Sequence, residues 1–264
     1  MSLTFSGSTD KVSVGTGTNI TDLAAGTYCA WVNPSSVASG THRIYQKGVG
    51  AAADFFVLGD VNAGDFRITT PRATTGLRAQ SNGSVVSAGV WQYLAGSWDT
   101  TLTNADQHLY YGSLTTDAAE IGSYSTQVVG SGSITSNSGA AGVIGNKAND
   151  NGALSGDIHA FAIFNRQLTL GEIIEWQWHP RVFSGCVGFW LLGWNGTGTQ
   201  PDWSGSGNAG TVTAAAVATP APLGRLFRPV EVAPYVVAAA TGTGGPLIGG
   251  RIMRGMLVGG RLVA

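Results

Sequence analysis

The feature that most constrains this chain is a long series of short apolar, β-branched and aromatic runs between residues 3 and 183, separated by Gly, Ser, Thr, Asn and Asp. Such runs, with turn-forming residues between them, are typical of an antiparallel all-β sandwich or jelly roll. Glycine supplies many of the turns, since it accounts for 40 of the 264 residues. The predicted strands are Leu3–Phe5, Lys11–Val14, Thr27–Val32, Arg43–Lys47, Phe55–Leu58, Phe66–Thr69, Trp91–Trp98, Gln107–Tyr111, Val143–Ile144 and Ile158–Phe164.

The last of these runs is apolar on both faces, as expected of a strand inside a sandwich or beneath a covering element. Strict alternation predicts that its residues divide between two faces. Ile158, Ala160, Ala162 and Phe164 would lie on one face, and His159, Phe161 and Ile163 on the other.

One helix is predicted, over Leu170–Trp178. Thr169 stands at the N-cap position, and Glu172 follows at the spacing of a capping box, in which each residue satisfies an amide of the other. Pro180 ends the helix because the residue before a proline disfavours the helical conformation.

The composition changes after residue 183, so we divide the chain into a sandwich domain over 1–183, a connecting region over 184–231 and an arm over 232–264. The connecting region begins with the strongly apolar run Cys186–Trp194 and becomes rich in Pro and Ala. It either completes the sandwich or begins a second, incomplete module.

The arm contains a repeat at an offset of ten residues, in which Leu247–Met253 matches Leu257–Val263. Its glycine content makes ordering costly, so we expect it to be held by the parent domain or, through β-strand addition, by a neighbouring subunit. The predicted assembly residues are Leu247, Ile248, Arg251, Ile252, Arg254, Leu257, Val258, Arg261 and Leu262.

Charge excludes some classes of partner. Only 29 residues are Lys, Arg, Asp or Glu and the net charge is −1, so the sequence lacks the positive field on which nucleic-acid binding depends. We expect no membrane insertion, since no apolar run has the length of a membrane span, and no secretory leader at the start. Cys29 and Cys186 are interpreted as free thiols, with a disulfide between them as the alternative.

An ordered set of segments resembles the laminin-G-like, concanavalin A-like jelly rolls. The resemblance covers about two-thirds of the chain and implies two packed antiparallel sheets. The family includes sugar-binding modules, adhesive domains, pentraxin-like calcium binders, some glycoside hydrolases, and domains of phage and bacterial surface proteins, so it leaves function open. The matching segments are Phe5–Val12, Thr27–Pro34, Trp91–Asp99, Leu109–Gly112, Ile144–Asn146 and Leu154–Ile173.

The sequence contains few residue patterns typical of a catalytic site or a metal site. A glycosidase needs two facing carboxylates, whereas the only close glutamate pair, Glu172 and Glu175, falls on the surface of the predicted helix. We therefore expect no enzymatic activity and no cofactor, and the four histidines have no zinc spacing. Calcium is left as an alternative, with two groups of oxygen ligands that ordinary turn chemistry also explains. These groups are Asp54 with Asp60 and Asp65, and Asn149, Asp150 and Asn151 with Asp157.

Sugar recognition commonly uses an exposed aromatic ring. Five aromatic residues are available for such a contact, namely Trp98, Tyr110, Tyr111, Trp176 and Trp178, although core or interface packing is expected for most of the eight tryptophans. Trp98, Tyr110 and Tyr111 are the predicted glycan contacts.

These observations favour a bacteriophage virion protein, made in the host cytoplasm and attached to a capsid or tail. The jelly roll would face outward, with the arm bound to other virion proteins or to copies of itself, and a host-surface glycan as a second partner. The alternative is a carbohydrate-binding module of a cellular surface protein. A glycoside hydrolase is the third hypothesis.

Overall fold

The computed structural model describes residues 1–38, 40, 42–48, 53–59, 62–101, 106–150 and 152–218. The predicted arm over 232–264 and its nine assembly residues lie outside this part of the chain. The strands, in chain order, are β1 (Ser2–Phe5), β2 (Lys11–Ser13), β3 (Ala25–Pro34), β4 (His42–Lys47), β5 (Asp54–Leu58), β6 (Phe66–Thr70), β7 (Leu77–Ser81), β8 (Gln92–Asp99), β9 (Gln107–Ser113), β10 (Ala119–Glu120), β11 (Tyr124–Val128), β12 (Gly142–Ile144), β13 (Gly156–Phe164), β14 (Cys186–Leu191), β15 (Thr211–Thr213) and β16 (Ala216–Ala218). A short 3₁₀ turn spans Thr18–Ile20, and the α-helix, α1, spans Leu170–Trp178.

The strands form two antiparallel sheets, which confirms the predicted all-β jelly-roll sandwich. The first sheet has the order β10-β9-β8-β3-β13-β1-β16, with β14 also paired to β13. The second has the order β11-β7-β6-β5-β4-β12-β2-β15. Large apolar side chains fill the space between the sheets, where burial of apolar surface supplies the main driving force for folding. This inner core includes Phe5, Tyr28, Phe56, Phe161 and Trp190.

A second apolar layer lies on the outer face of the first sheet, beneath α1. Ile173 and Trp176 of the helix are buried there with Trp31 and Tyr93 of the sheet. The indole nitrogen of Trp31 donates a hydrogen bond to the carbonyl of Gln177 (2.9 Å). This layer explains why the first sheet is apolar on both faces.

The predicted helix bounds are confirmed, and so is the capping box. The Thr169 side chain accepts a hydrogen bond from the Glu172 amide (3.3 Å), and the Glu172 carboxylate accepts one from the Thr169 amide (2.9 Å). Arg166 also pairs with the Glu172 carboxylate. This pairing and the capping bonds lower the pKa of Glu172 to about 2.

Strict alternation fails in β13. A register shift between Ile158 and Ala160 places His159 in a bulge. Ile158 therefore joins the inner core with Phe161, whereas Ala160 faces the outer layer beneath α1. An extra residue at a bulge moves the following side chains to the other face of the strand, and the sequence carries no sign of where the bulge falls.

The segment after residue 183 contributes to the sandwich. β14 pairs with β13, β15 pairs with β2, and β16 pairs with β1. Cys29 and Cys186 are free thiols. Within the described residues, no helix is both long and apolar enough to cross a membrane.

Candidate functional site

Two of the eight tryptophans stand apart from the core. Trp194 and Trp203 are 60% and 44% exposed, whereas Trp178 is half-buried and the other five are buried. The rings of Trp194 and Trp203 meet edge to face, with centroids 5.8 Å apart. We call this exposed aromatic surface the tryptophan pair. An exposed aromatic pair on a protein surface is typical of a contact site for a ligand or partner.

Trp194 follows the end of β14, on a loop that encloses a buried glutamine. The Gln200 side chain accepts a hydrogen bond from the amide of Gly193 (2.8 Å) and donates to the carbonyls of Gly196 (3.0 Å) and Gly198 (2.6 Å). Gly193 has φ +78°, and a Cβ there would lie 2.6 Å from the Ser2 carbonyl oxygen, so the position requires glycine. The Gln200 contacts hold the loop in one conformation.

Trp203 lies on a turn over residues 202–208 that the Asp202 carboxylate organises, and we call it the Asp202 turn. One carboxylate oxygen accepts from the Phe189 amide (3.0 Å) and from the Ser204 amide (2.9 Å) and hydroxyl (2.6 Å). The other accepts from the Asn208 amide (2.9 Å). Trp203 itself donates its amide to the Phe189 carbonyl (2.8 Å). Charge-assisted hydrogen bonds of this kind hold the backbone of the turn that carries the indole.

An open cleft of about 430 Å³ lies between the 14–19 loop and the end of the Asp202 turn. We call it the Gly17 cleft, after the glycine in its lining. All of its lining residues are uncharged, and most are small. They are Val14, Gly15, Thr16, Gly17, Thr18, Asn19, Ser206, Gly207, Asn208 and Ala209.

The structure corrects the prediction that Trp98 contacts a glycan. Trp98 is 1% exposed and packs in the inner core against Tyr28, with its indole nitrogen hydrogen-bonded to the Leu23 carbonyl (3.3 Å). The other two candidates, Tyr110 and Tyr111, are consecutive in β9 and therefore lie on opposite faces of the sheet. Tyr110 is 8% exposed beneath the outer layer, which leaves little surface for a sugar, and Tyr111 packs against the inner core.

The aspartates of the two predicted calcium groups that the structure describes each have their own hydrogen-bond or ion-pair partner. Asp54 is buried and accepts a hydrogen bond from Asn137, whereas Asp65 accepts from Gln80 (2.6 Å). Asp150 forms an ion pair with Lys11 (2.6 Å), and Asp157 accepts from Thr4 (2.5 Å). Asp60 and Asn151 lie outside the described residues. Among the residues that the structure describes, His, Cys, Asp and Glu form no group of three or more that could hold a metal ion.

The helix glutamates have structural partners. Glu172 takes part in the capping box and binds Arg166, and Glu175 binds Arg181. Both are surface contacts on α1, in agreement with the interpretation of this pair from the sequence.

The sequence analysis did not select Trp194 and Trp203, because Trp194 ends the apolar run Cys186–Trp194 and Trp203 lies in the connecting region, where no ligand contact was predicted. The signal was nonetheless present. Each tryptophan has Gly, Ser, Asn or Asp as near neighbours, and turns of this composition lie at the surface, where a large aromatic side chain stays exposed.

Comparison with known proteins gives one family match. The Laminin_G_3 model, described as the concanavalin A-like lectin/glucanases superfamily, matches residues 6–174. No curated protein matches the sequence. The match covers most strands of both sheets and ends before β14, so the tryptophan pair lies outside it.

Several solved structures have a similar fold at low identity. A Bacteroides ovatus protein inferred to bind carbohydrate has a TM-score of 0.55 at 15% identity, over 83% of this chain and 59% of that protein's length. The enzymatically active domain of tailspike protein 2 from bacteriophage CBA120 has a TM-score of 0.50 at 11% identity, over 73% of this chain and 33% of that chain. A heptameric SAP-like pentraxin from Limulus polyphemus has a TM-score of 0.45 at 12% identity, over 66% of this chain and 80% of that chain. For the Bacteroides ovatus and bacteriophage CBA120 proteins, identities this low establish a common fold only.

Proposed function

This chain belongs to the Laminin_G_3 family of the concanavalin A-like lectin/glucanases superfamily, and from that premise we propose that it is a non-enzymatic glycan-binding protein of a bacteriophage particle. The tryptophan pair is the observation that carries the glycan-binding part. A sugar ring presents an apolar face of C–H groups, which packs against an indole, while its hydroxyls bond to short polar side chains nearby.

The rigidity of the two loops supports this assignment. Gln200 fixes the loop of Trp194 and Asp202 fixes the turn of Trp203, so little conformational entropy is lost when a ligand binds. The carbohydrate binding inferred for the Bacteroides ovatus protein of similar fold is consistent with this proposal.

A glycan array tests the binding function. The wild-type chain should bind a restricted set of glycans, and the double variant Trp194→Ala/Trp203→Ala should lose at least tenfold in affinity for them. Trp178→Ala is the matched control, because Trp178 is a partly exposed tryptophan on α1 whose indole nitrogen bonds Asp117 (2.7 Å). Equal binding by the double variant and the wild type would contradict the proposal, and release of shortened glycan would contradict its non-enzymatic part.

Two further observations support the proposal that this chain is part of a bacteriophage particle. A phage tailspike domain has a similar fold, and the low charge of this chain suits a subunit whose surface largely faces other proteins. The partners would be other virion proteins or further copies of this chain, bound through the arm over 232–264.

Deletion of residues 242–264 tests the anchor. We expect the shortened chain to keep the thermal unfolding transition of the sandwich and to be missing from purified particles, as measured by mass spectrometry. Incorporation of the shortened chain would place the anchor elsewhere.

The second candidate is a glycan-binding module of a cellular surface protein, which the bacterial protein of similar fold favours. Glycan binding that depends on the tryptophan pair, together with absence of the full chain from particles, would support this candidate over the virion role.

A further inference from the structure

The Gly17 cleft shares a rigid turn with the tryptophan pair. Trp203 lies near the start of the Asp202 turn, and Ser206, Gly207 and Asn208 at its end line the cleft. Because Asp202 bonds to the amides of both Ser204 and Asn208, the two parts of the turn keep a fixed relation. A ligand longer than one sugar could therefore contact the tryptophan pair and the cleft in a single pose.

The cleft also contains a pair of directed hydrogen-bond acceptors. Asn19 and Asn208 both donate their side-chain NH₂ groups to the carbonyl of Val187, at 3.2 and 3.0 Å. This shared partner sets the orientation of both amides, and their carbonyl oxygens converge beside Gly17. A Cβ on Gly17 would lie 2.0 Å from the Asn208 oxygen and 2.6 Å from the Asn19 oxygen, so the two oxygens occupy this space and the position requires glycine. Asn208 is buried at the base of the cleft lining.

The Asn19 and Asn208 oxygens accept hydrogen bonds, and the residues around them carry no charge. They therefore favour a ligand that donates hydrogen bonds and has no negative charge. Two amide oxygens would repel a carboxylate or sulfate, and the lining has no Lys or Arg to offset the repulsion. Sugar hydroxyls are donors of suitable size, and Thr16, Thr18 and Ser206 provide hydroxyls that can donate or accept in return.

We propose that the Gly17 cleft is a second subsite, which binds the hydroxyls of a neutral sugar unit in an oligosaccharide whose neighbouring unit packs on the tryptophan pair. This inference rests on the proposed glycan-binding function and deepens it. It identifies the ligand as a neutral oligosaccharide of at least two units, and it identifies the Asn19 and Asn208 side chains as specificity-determining contacts.

Calorimetric titration with defined oligosaccharides tests the subsite. The probes are glucose, galactose and mannose oligosaccharides of one to five units, with sialylated and uronic acid-containing counterparts. Ala209→Arg introduces a long side chain at an exposed position of the cleft lining, and Ala88→Arg, in the exposed turn before β8, is the matched control.

Affinity of the wild type and of Ala88→Arg should rise with oligosaccharide length and exceed the affinity for the acidic counterparts. Ala209→Arg should reduce the affinity for the longer neutral oligosaccharides at least tenfold, to the level of the shortest one that binds. Trp194→Ala/Trp203→Ala should abolish binding at every length.

The outcomes separate the two proposals. Wild-type affinity of Ala209→Arg at all lengths, with binding still lost in the tryptophan variant, would overturn the subsite and leave glycan binding intact. A preference for acidic glycans would also overturn the subsite, whereas absence of binding by the wild type would overturn both. Side-chain amide NMR of the wild type gives a readout that needs no variant, because a neutral oligosaccharide should shift the Asn19 and Asn208 signals and unchanged signals would contradict the proposal.

Discussion

At the scale of single residues, the candidate site depends on two polar side chains that hydrogen-bond to the backbone of its loops. Gln200 and Asp202 satisfy the backbone of two glycine-rich loops, which would otherwise be costly to order. Composition indicates turns in this region, but it does not show which polar side chain turns inward. The sequence therefore predicts exposed tryptophans in these turns, but not the inward-turned Gln200 and Asp202 that hold them.

Asp202→Asn should destabilise the turn that carries Trp203. An asparagine has one acceptor oxygen and must direct an NH₂ group at one of the amides that the carboxylate now binds. We expect a loss of about 2 kcal/mol in the free energy of unfolding, from the range for hydrogen bonds to charged groups. Urea denaturation measures this loss, and Asp117→Asn is a surface control that should change stability little.

Asp54 gives a pH-dependent test of the inner core. Burial raises the pKa of its carboxyl group to about 7, although Asn137 donates a hydrogen bond to it. An unfolded aspartate has a pKa of about 3.9, so the folded protein binds the proton more tightly and loses stability as the pH rises from about 4 to about 7. Asp54→Asn cannot ionise and should avoid this loss.

The comparison is made by urea denaturation of wild type and Asp54→Asn at pH 4 and pH 8. Relative to the wild type, the variant should gain stability between the two pH values. Burial lowers the pKa of His159 to about 4, which acts in the opposite direction between about pH 4 and 6.5. That effect is common to both proteins and cancels in the difference. If the stability difference between the variant and the wild type were the same at pH 4 and pH 8, the raised pKa of Asp54 would be contradicted.

At the scale of elements, the sequence predicts a helix or strand correctly where its capping residues or its apolar face determine the structure. The helix bounds and capping box follow from Thr169, Glu172 and the Pro180 stop, and the apolar strands follow from their β-branched and aromatic runs. The strands β7 and β11 were not predicted. β7 alternates Leu77 and Ala79, which lie in the inner core, with polar residues, and this alternation is too short to predict a strand. β11 is mostly polar and lies at the edge of its sheet, so pairing with β7 defines it.

Thr169→Ala should destabilise the protein by about 1 kcal/mol, the usual cost of removing an N-cap side chain. The substitution leaves the Glu172 amide without its side-chain acceptor at the start of α1. Thermal unfolding measures the effect, and Thr169→Ser, which keeps the hydroxyl, should retain most of the stability. Equal losses in both variants would indicate that packing of the threonine methyl group, rather than the cap, is responsible.

At the scale of the whole molecule, both sheets depend on residues beyond the predicted boundary at 183. Trp190 of β14 is fully buried and stacks on Phe161 of β13, with ring centroids 6.0 Å apart. The sequence left open whether this segment completes the sandwich, because no local pattern shows which strands pair, and β15 and β16 pair with β2 and β1 near the start of the chain. Strand partners are set by tertiary packing.

A chain of residues 1–183 should therefore fail to unfold cooperatively, whereas a chain of residues 1–218 should melt in one transition. Removing a buried tryptophan side chain alone costs about 3–5 kcal/mol, a large part of the roughly 5–15 kcal/mol that stabilises a domain. Differential scanning calorimetry distinguishes the two chains. A cooperative transition in residues 1–183 at the temperature of the longer chain would show that β14, β15 and β16 are dispensable.

The central claim is that the loops after β14 bind a glycan. A crystal structure of the chain with the neutral oligosaccharide that binds most tightly on the array tests it most directly. We predict electron density for one sugar ring against Trp194 and Trp203 and for a neighbouring unit in the Gly17 cleft. A ligand bound at another surface, with the tryptophan pair uncovered, would contradict the account.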